Sequence, residues 1–207
     1  MAFFSALFAN RNDSASVYRR RVEARRAGVR ASVTALRAAE LLRAPTALMQ
    51  LNESEALTVV GYMAMRRCAE GEAVIRQGDS GGTGDDGFMA LVIDGEITVE
   101  AEDMGRIGPH TVNVLGPGHL MGEMSLMDGA ARSATCIAST DVRCAVLTRE
   151  ALTTLITEEP ATAAKLLSAV ALRLSHRLRE VDGKLRLYSQ LVQSMQQEIH
   201  RLVPDMD

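Results

Sequence analysis

The 207-residue chain predicts a mainly β fold with flanking helices: an antiparallel, jelly-roll-like β-roll followed by a long C-terminal helix. Three observations predict it. Between Gly71 and Val146, short apolar stretches alternate with turn signals about every dozen residues, as in an antiparallel barrel or roll. No strand–helix–strand crossover period accompanies them, which argues against a doubly wound nucleotide-binding sheet. From Leu167 to Leu202 apolar residues recur by steps of four and three, a helical period rather than a strand period.

Bulk composition narrows the class further. Hydrophobic content of 47% and charged content of 24% belong to a chain that buries a core. The net charge of −3 means that an anionic ligand must rely on local positive potential, and the chain as a whole is no general polyanion binder. Three cysteines, Cys68, Cys136 and Cys144, have no metal-ligand spacing and read as small buried hydrophobes in a reducing cytoplasm. The opening Met-Ala-Phe-Phe-Ser-Ala-Leu-Phe has no basic residue before it and no small-residue cleavage site, so no secretory signal is expected. No apolar run approaches the ~18 residues that span a bilayer, and a cytoplasmic location is expected.

Three segments follow in order: a basic amphipathic helical arm over 1–45, the β-roll over 46–158 and a long coiled-coil helix over 159–207. In the arm, Val22, Val29 and Leu36 recur at heptad spacing with Val33 filling in, while seven arginines between Arg11 and Arg30 face only Asp13 and Glu23. By pattern the arm is outside the compact core. It can be a solvated helix packed on the domain or on a partner subunit. It can also be a peripheral membrane-surface helix over residues 1–30, because Phe3, Phe4, Leu7 and Phe8 precede the basic stretch. Nucleic-acid contact is not expected, since no aromatics interleave with the arginines and no groove-entering motif is present.

Ala44-Pro45 ends the arm, and Asn52-Glu53-Ser54-Glu55 caps a short helix carrying Leu57, Val60, Met63 and Met65. The period then changes to strands: Ala73-Val74-Ile75 between glycine turns, Phe88 to Ile93, and Glu96 to Glu100 after the Asp94-Gly95 hairpin signal. Thr111 to Leu115, a segment at Ile137, and Val142 to Val146 complete the set, with Ser80 to Gly87 as a loop. After Thr148, Leu152, Leu155 and Ile156 mark a short helix that Pro160 punctuates. The final seam runs through Leu167, Leu174, Leu178, Val181, Leu185, Tyr188, Val192, Met195 and Ile199 for about five heptads, which favours a parallel two-stranded coiled coil, hence a homodimer through 167–202. Gly183 lies off the seam and weakens that helix by ~1 kcal/mol.

The chemistry concentrates between Leu120 and Ala138. Gly122 allows close approach, and Glu123, Met124 and Ser125 begin a short amphipathic turn that Asp128-Gly129 ends. Arg132, Ser133 and Ala134 precede another apolar run. Helix start, glycine, lone arginine and hydroxyl together suit a small phosphate. One guanidinium, Arg132, can neutralise a singly charged phosphate with two hydrogen bonds. The Ser133 hydroxyl and backbone N–H groups would complete the shell, and Glu123 can accept from a ligand hydroxyl. The bland counter-reading is that Glu123 and Arg132 merely pair with each other.

In order and spacing, Gly116-Pro117-Gly118, Gly122-Glu123-Met124-Ser125-Leu126 and Arg132-Ser133-Ala134-Thr135 resemble the phosphate-binding cassette of cyclic-nucleotide-binding domains. The turn glycines Gly71, Gly78 and Gly95 extend the likeness, which covers roughly 48–190. The resemblance implies a non-enzymatic regulatory sensor for cyclic AMP, with cyclic GMP as the alternative, and with no cofactor or metal. It implies signalling through an effector protein yet to be identified, in a member that lacks a helix-turn-helix. By the same likeness, the helix after the roll would close over the base near Arg173, His176 and Arg177. His119 and Met121 stand where relatives commonly carry an acidic and an aromatic residue, and the Ser80–Gly87 loop is longer than usual. A cupin-type enzyme would need clustered histidines, whereas His110, His119, His176 and His200 include no His-x-His pair. The remaining alternative is a nucleotide-free interaction scaffold of the same fold.

Overall fold

The computed structural model describes residues 15–44, 50–80, 87–101 and 110–202. The chain divides into two compact units, Met1–Ala169 and Val170–Asp207.

The described part of the first unit begins with two helices, α1 (Ala15–Arg30) and α2 (Val33–Arg43). Ser32 separates them and caps α2, its Oγ accepting from the Ala35 N–H at 3.3 Å. Of the expected stripe Val22 and Val29 are buried, on a helix that packs with α3 (Glu53–Gly61) inside the domain, whereas Val33 and Leu36 are exposed. The described part of the arm, residues 15–44, therefore contributes to the core, contrary to its sequence pattern. The break at Ser32 changes the helical phase, which turns Val33 out to 85% exposure while Ala38 and Leu42 become fully buried. Phe3, Phe4, Leu7 and Phe8 lie outside the described residues.

Helix α3 starts with a reciprocal capping box. The Glu55 N–H donates to Asn52 Oδ1 at 2.9 Å, and the Asn52 N–H donates to Glu55 Oε2 at 2.8 Å. The helix stops at Gly61, so Met65 lies on β1 (Ala64–Cys68) and not on the helix expected there. Gly61 allows α1 to come close: a Cβ at that position would sit 3.0 Å from Arg25 Cβ. Arg25 lies 3.9 Å above the Tyr62 ring and donates to Glu158 Oε2 at 2.5 Å, and Tyr62 also donates to Glu158. Arg26 Nε donates to Thr58 Oγ1 at 2.7 Å. Part of the arm's positive charge is thus used inside the fold.

The remaining strands are β2 (Ala73–Ile75), β3 (Phe88–Asp94), β4 (Ile97–Ala101), β5 (His110–Leu115), β6 (Leu120–Met121), β7 (Thr135–Ala138) and β8 (Val142–Thr148). They form two four-stranded sheets, β1-β8-β3-β6 and β2-β7-β4-β5, with antiparallel pairing throughout. Residues from both sheets, including Ile75, Val92, Ile97 and Met121, meet in one apolar core. All three cysteines are free and buried there, and burial pushes the Cys144 thiol up to about 12. That bears out their reading as small hydrophobes.

Three helices complete the chain. The six-residue α4 (Glu123–Asp128) is described with the site. Helix α5 (Arg149–Glu158) is capped by Thr148, whose Oγ1 accepts from the Ala151 N–H at 3.2 Å. Helix α6 runs from Pro160 to Leu202, with proline at its first position, where a missing N–H costs nothing. Within the first unit α6 buries Ala163, Leu166 and Ala169, and Lys165 Nζ reaches Glu55 Oε1 at 2.7 Å. That ammonium holds the Glu55 carboxyl below the usual carboxylate range.

The second unit is helical from Val170 through Leu202. Its seam residues Leu178, Val181, Leu185, Tyr188, Val192, Met195 and Ile199 are 44% to 63% exposed. The predicted stripe is therefore present as an apolar face open to solvent in the single chain. Among the described residues no helix is long and apolar enough to cross a membrane.

Candidate phosphate-binding site

Strand β5 delivers the chain to the Gly116–Gly118 turn, which β3 holds from both sides. The Gly118 N–H donates to the Val92 carbonyl at 2.9 Å, and the Val92 N–H donates to the His119 carbonyl at 2.9 Å. Strand β6 then pairs with β3, setting Met121 opposite Ala90. Gly122 follows in the left-handed region, at φ 76°, and turns the chain directly into α4. No other residue fits this position. A Cβ on Gly122 would lie 2.7 Å from Arg132 Nη1 and 2.8 Å from the Phe88 carbonyl oxygen.

Arg132 arrives from the far side of the loop and is only 5% exposed. Its Nη1 donates to the Phe88 carbonyl at 2.9 Å and to the Gly122 carbonyl at 3.0 Å, while its guanidinium carbon sits 4.5 Å above the Phe88 ring. The backbone is clasped as well. The Arg132 N–H donates to the Asp79 carbonyl and the Gly78 N–H donates to the Arg132 carbonyl, each at 2.9 Å. Two carbonyls and a ring fix the plane of the guanidinium, and a planar fork held this way suits bidentate recognition of a phosphate.

Glu123 and Ser125, on α4, are buried. Arg149, at the start of α5, donates through Nη2 to the Ser125 carbonyl at 2.5 Å, and the Gly129 N–H reaches the same oxygen at 3.0 Å. The C-terminal end of α4 is thereby fastened to α5.

The structure joins Arg132 to Gly122 and buries Glu123 and Ser125 in the helix that follows the glycine. It leaves Met124 at 39% exposure and Ser133 exposed, with Ala134 half-buried behind it. Arg173, His176 and Arg177 belong to the second unit: Arg173 is half-buried, and His176 and Arg177 are exposed on α6. The loop before Gly87 is described only as far as Ser80, so residues 81–86 lie outside the described residues. Among those residues no cluster of metal-ligating side chains occurs.

Sequence reasoning missed Phe88 and Arg149. Phe88 reads as the first apolar residue of a strand, and only its aromaticity in a chain with 3% aromatics could have drawn notice. Arg149 follows an obvious cap, but its reach to Ser125 depends on how the loop folds back.

Residues 65–159 match the family model of the cyclic nucleotide-binding domain. A cyclic AMP receptor protein of Thermus thermophilus is 35% identical over 130 residues, which is 63% of this chain and 56% of that protein. Human cGMP-dependent protein kinase 2 is 28% identical over 110 residues, 53% of this chain and 14% of the kinase. The chain thus spans about half the length of the first relative and a small part of the second. Among solved structures, a cyclic nucleotide-binding domain from Methylobacillus flagellatus superposes with a TM-score of 0.63 at 28% identity, covering 73% of this chain and 82% of that one. The catabolite activator protein of Thermus thermophilus gives 0.60 at 32% identity, covering 70% and 63%.

Replacing Gly122 with Ala should cost about 1–2 kcal/mol from the left-handed backbone alone, and more from the displaced arginine. Urea unfolding of Gly122→Ala checks this. An unchanged midpoint would mean that the turn at Gly122 is not as tight as described.

Proposed function

We propose that this chain, whose residues 65–159 match the cyclic nucleotide-binding domain model, is a regulatory sensor that takes up one cyclic nucleotide and passes the signal to a partner protein. One observation carries the reading: a buried arginine, Arg132, is held in a fixed plane beside the glycine turn that leads into the buried Glu123. A cyclic phosphodiester has one negative charge shared over two exocyclic oxygens, which match a planar fork. Arg132 grips those oxygens, and the Ser133 hydroxyl donates from the rim. Glu123 accepts from the 2′-hydroxyl, and Gly122 lets the sugar approach the backbone.

Cyclic AMP is the favoured ligand and cyclic GMP the second. The likeness to a cyclic AMP receptor protein at 35% identity supports that order, against 28% to a cGMP-dependent kinase. The open apolar seam supports a parallel homodimer through 167–202, in which a second copy covers the stripe. Signalling does not involve catalysis or DNA contact by the arm. Arg25 and Arg26 are already engaged within the fold, and the net charge of −3 disfavours polyanions.

Titration calorimetry of Arg132→Ala tests the ligand site. Loss of a bidentate charge-assisted pair should weaken cyclic AMP binding by at least about 100-fold, with circular dichroism showing the fold retained. Unchanged affinity would overturn the assignment. For the seam, sedimentation should find the wild type dimeric and the Leu185→Glu/Val192→Glu variant monomeric. A monomeric wild type would contradict the dimer.

A further inference from the structure

Phe88 meets Arg132 twice. Its ring lies under the guanidinium at 4.5 Å, and its carbonyl accepts from Nη1 at 2.9 Å. The platform itself is fixed. Phe88 pairs with Thr148 across β3 and β8, and one residue earlier the Gly87 carbonyl accepts from the Arg149 N–H at 2.8 Å. The other carbonyl on Nη1 belongs to Gly122, where a side chain would strike both the guanidinium and the Phe88 oxygen.

From this convergence we propose that Phe88 is a positioning residue for the phosphate site: its ring face orients the Arg132 guanidinium before the ligand arrives. The proposal rests on the cyclic-nucleotide reading and deepens it. A long arginine side chain has many rotamers, and ordering it on binding would weaken affinity. A cation over an aromatic face is held in place by the ring quadrupole, and more firmly where water is excluded. With Arg132 only 5% exposed, this is such a place. A leucine at position 88 would fill similar space and keep the backbone carbonyl, but it offers no face to stack on.

Phe88 also packs against the apolar core. A packing role alone predicts that Phe88→Leu lowers stability and leaves phosphate recognition untouched, so the test must separate the two. Cyclic AMP is titrated into the full-length wild type, Phe88→Leu, Phe88→Tyr, Arg132→Lys and the Phe88→Leu/Arg132→Lys double variant. Phe88→Leu should bind about 10-fold more weakly, and Phe88→Tyr, which keeps the face, within about 3-fold of wild type. In the Arg132→Lys background, where the ammonium has no plane to orient, Phe88→Leu should change affinity by less than about 2-fold. An equal loss in both backgrounds, or wild-type affinity in Phe88→Leu, overturns the proposal.

A second measurement needs no ligand. In nuclear magnetic resonance spectra, ring current should shift the Arg132 guanidinium protons upfield in the wild type and not in Phe88→Leu. Equal shifts in the two proteins overturn the stacking. Failure of the wild type to bind either cyclic AMP or cyclic GMP, with the ring-current difference present, overturns the functional reading and leaves the Phe88–Arg132 contact standing.

Discussion

Burying a guanidinium is the constraint on which the site depends. An arginine withdrawn from water must have its hydrogen bonds met wherever it points, because an unmet buried donor forfeits its hydration without return. The Arg132 guanidinium meets that demand on the carbonyls of Phe88 and Gly122, while Gly78 and Asp79 hold the arginine's backbone. None is near it in sequence except through the fold. The two sheets are what bring them together, β3 supplying Phe88, the β6–α4 turn supplying Gly122, and the turn after β2 clasping the arginine backbone. The roll can thus be understood as the frame that makes one buried cation affordable.

The site is also tied to the helices around it. Arg149 fastens the carbonyl of Ser125, in the cassette helix α4, to the start of α5. At the other end of α5, Glu158 is gripped by Arg25 of α1 and Tyr62 just after α3. One short helix therefore has the phosphate site at its first residue and the N-terminal arm at its last. A change in the position of α4 would bear on Arg149 directly, and through α5 on the arm. The arginine-rich arm, which by composition looked like a surface for outside partners, is in part the counter-charge for this internal carboxylate.

Much of this was legible in the sequence where the cause was local. The strand segments, the Asn52 cap, the proline that opens the last helix and the glycines at 122 and 129 are set by a few neighbouring residues, and each was found where expected. The glutamate, arginine and glycine of the cassette were legible because their spacing matches a known family. What stayed hidden was whatever depended on distant contacts. The arm's heptad stripe could not say whether its partner was another chain or α3. Met65 kept the helical spacing of Leu57 although Gly61 had already ended the helix. Phe88 looked like any strand residue, since nothing in its own neighbourhood reveals an arginine 44 positions later lying over its ring.

The central claim is that this pocket is shaped for a cyclic phosphate on a ribose, with Arg132 reading the first and Glu123 the second. It is tested most directly by titrating the protein in parallel with cyclic AMP, 2′-deoxy cyclic AMP and 5′-AMP. The account predicts clear binding of cyclic AMP. Loss of the 2′-hydroxyl should weaken it by about 10-fold or more, because the hydrogen bond from the ligand to the Glu123 carboxylate is removed. The acyclic monophosphate, with its extra charge and different shape, should bind far more weakly still. Equal affinity for all three, or no binding of cyclic AMP, would contradict it.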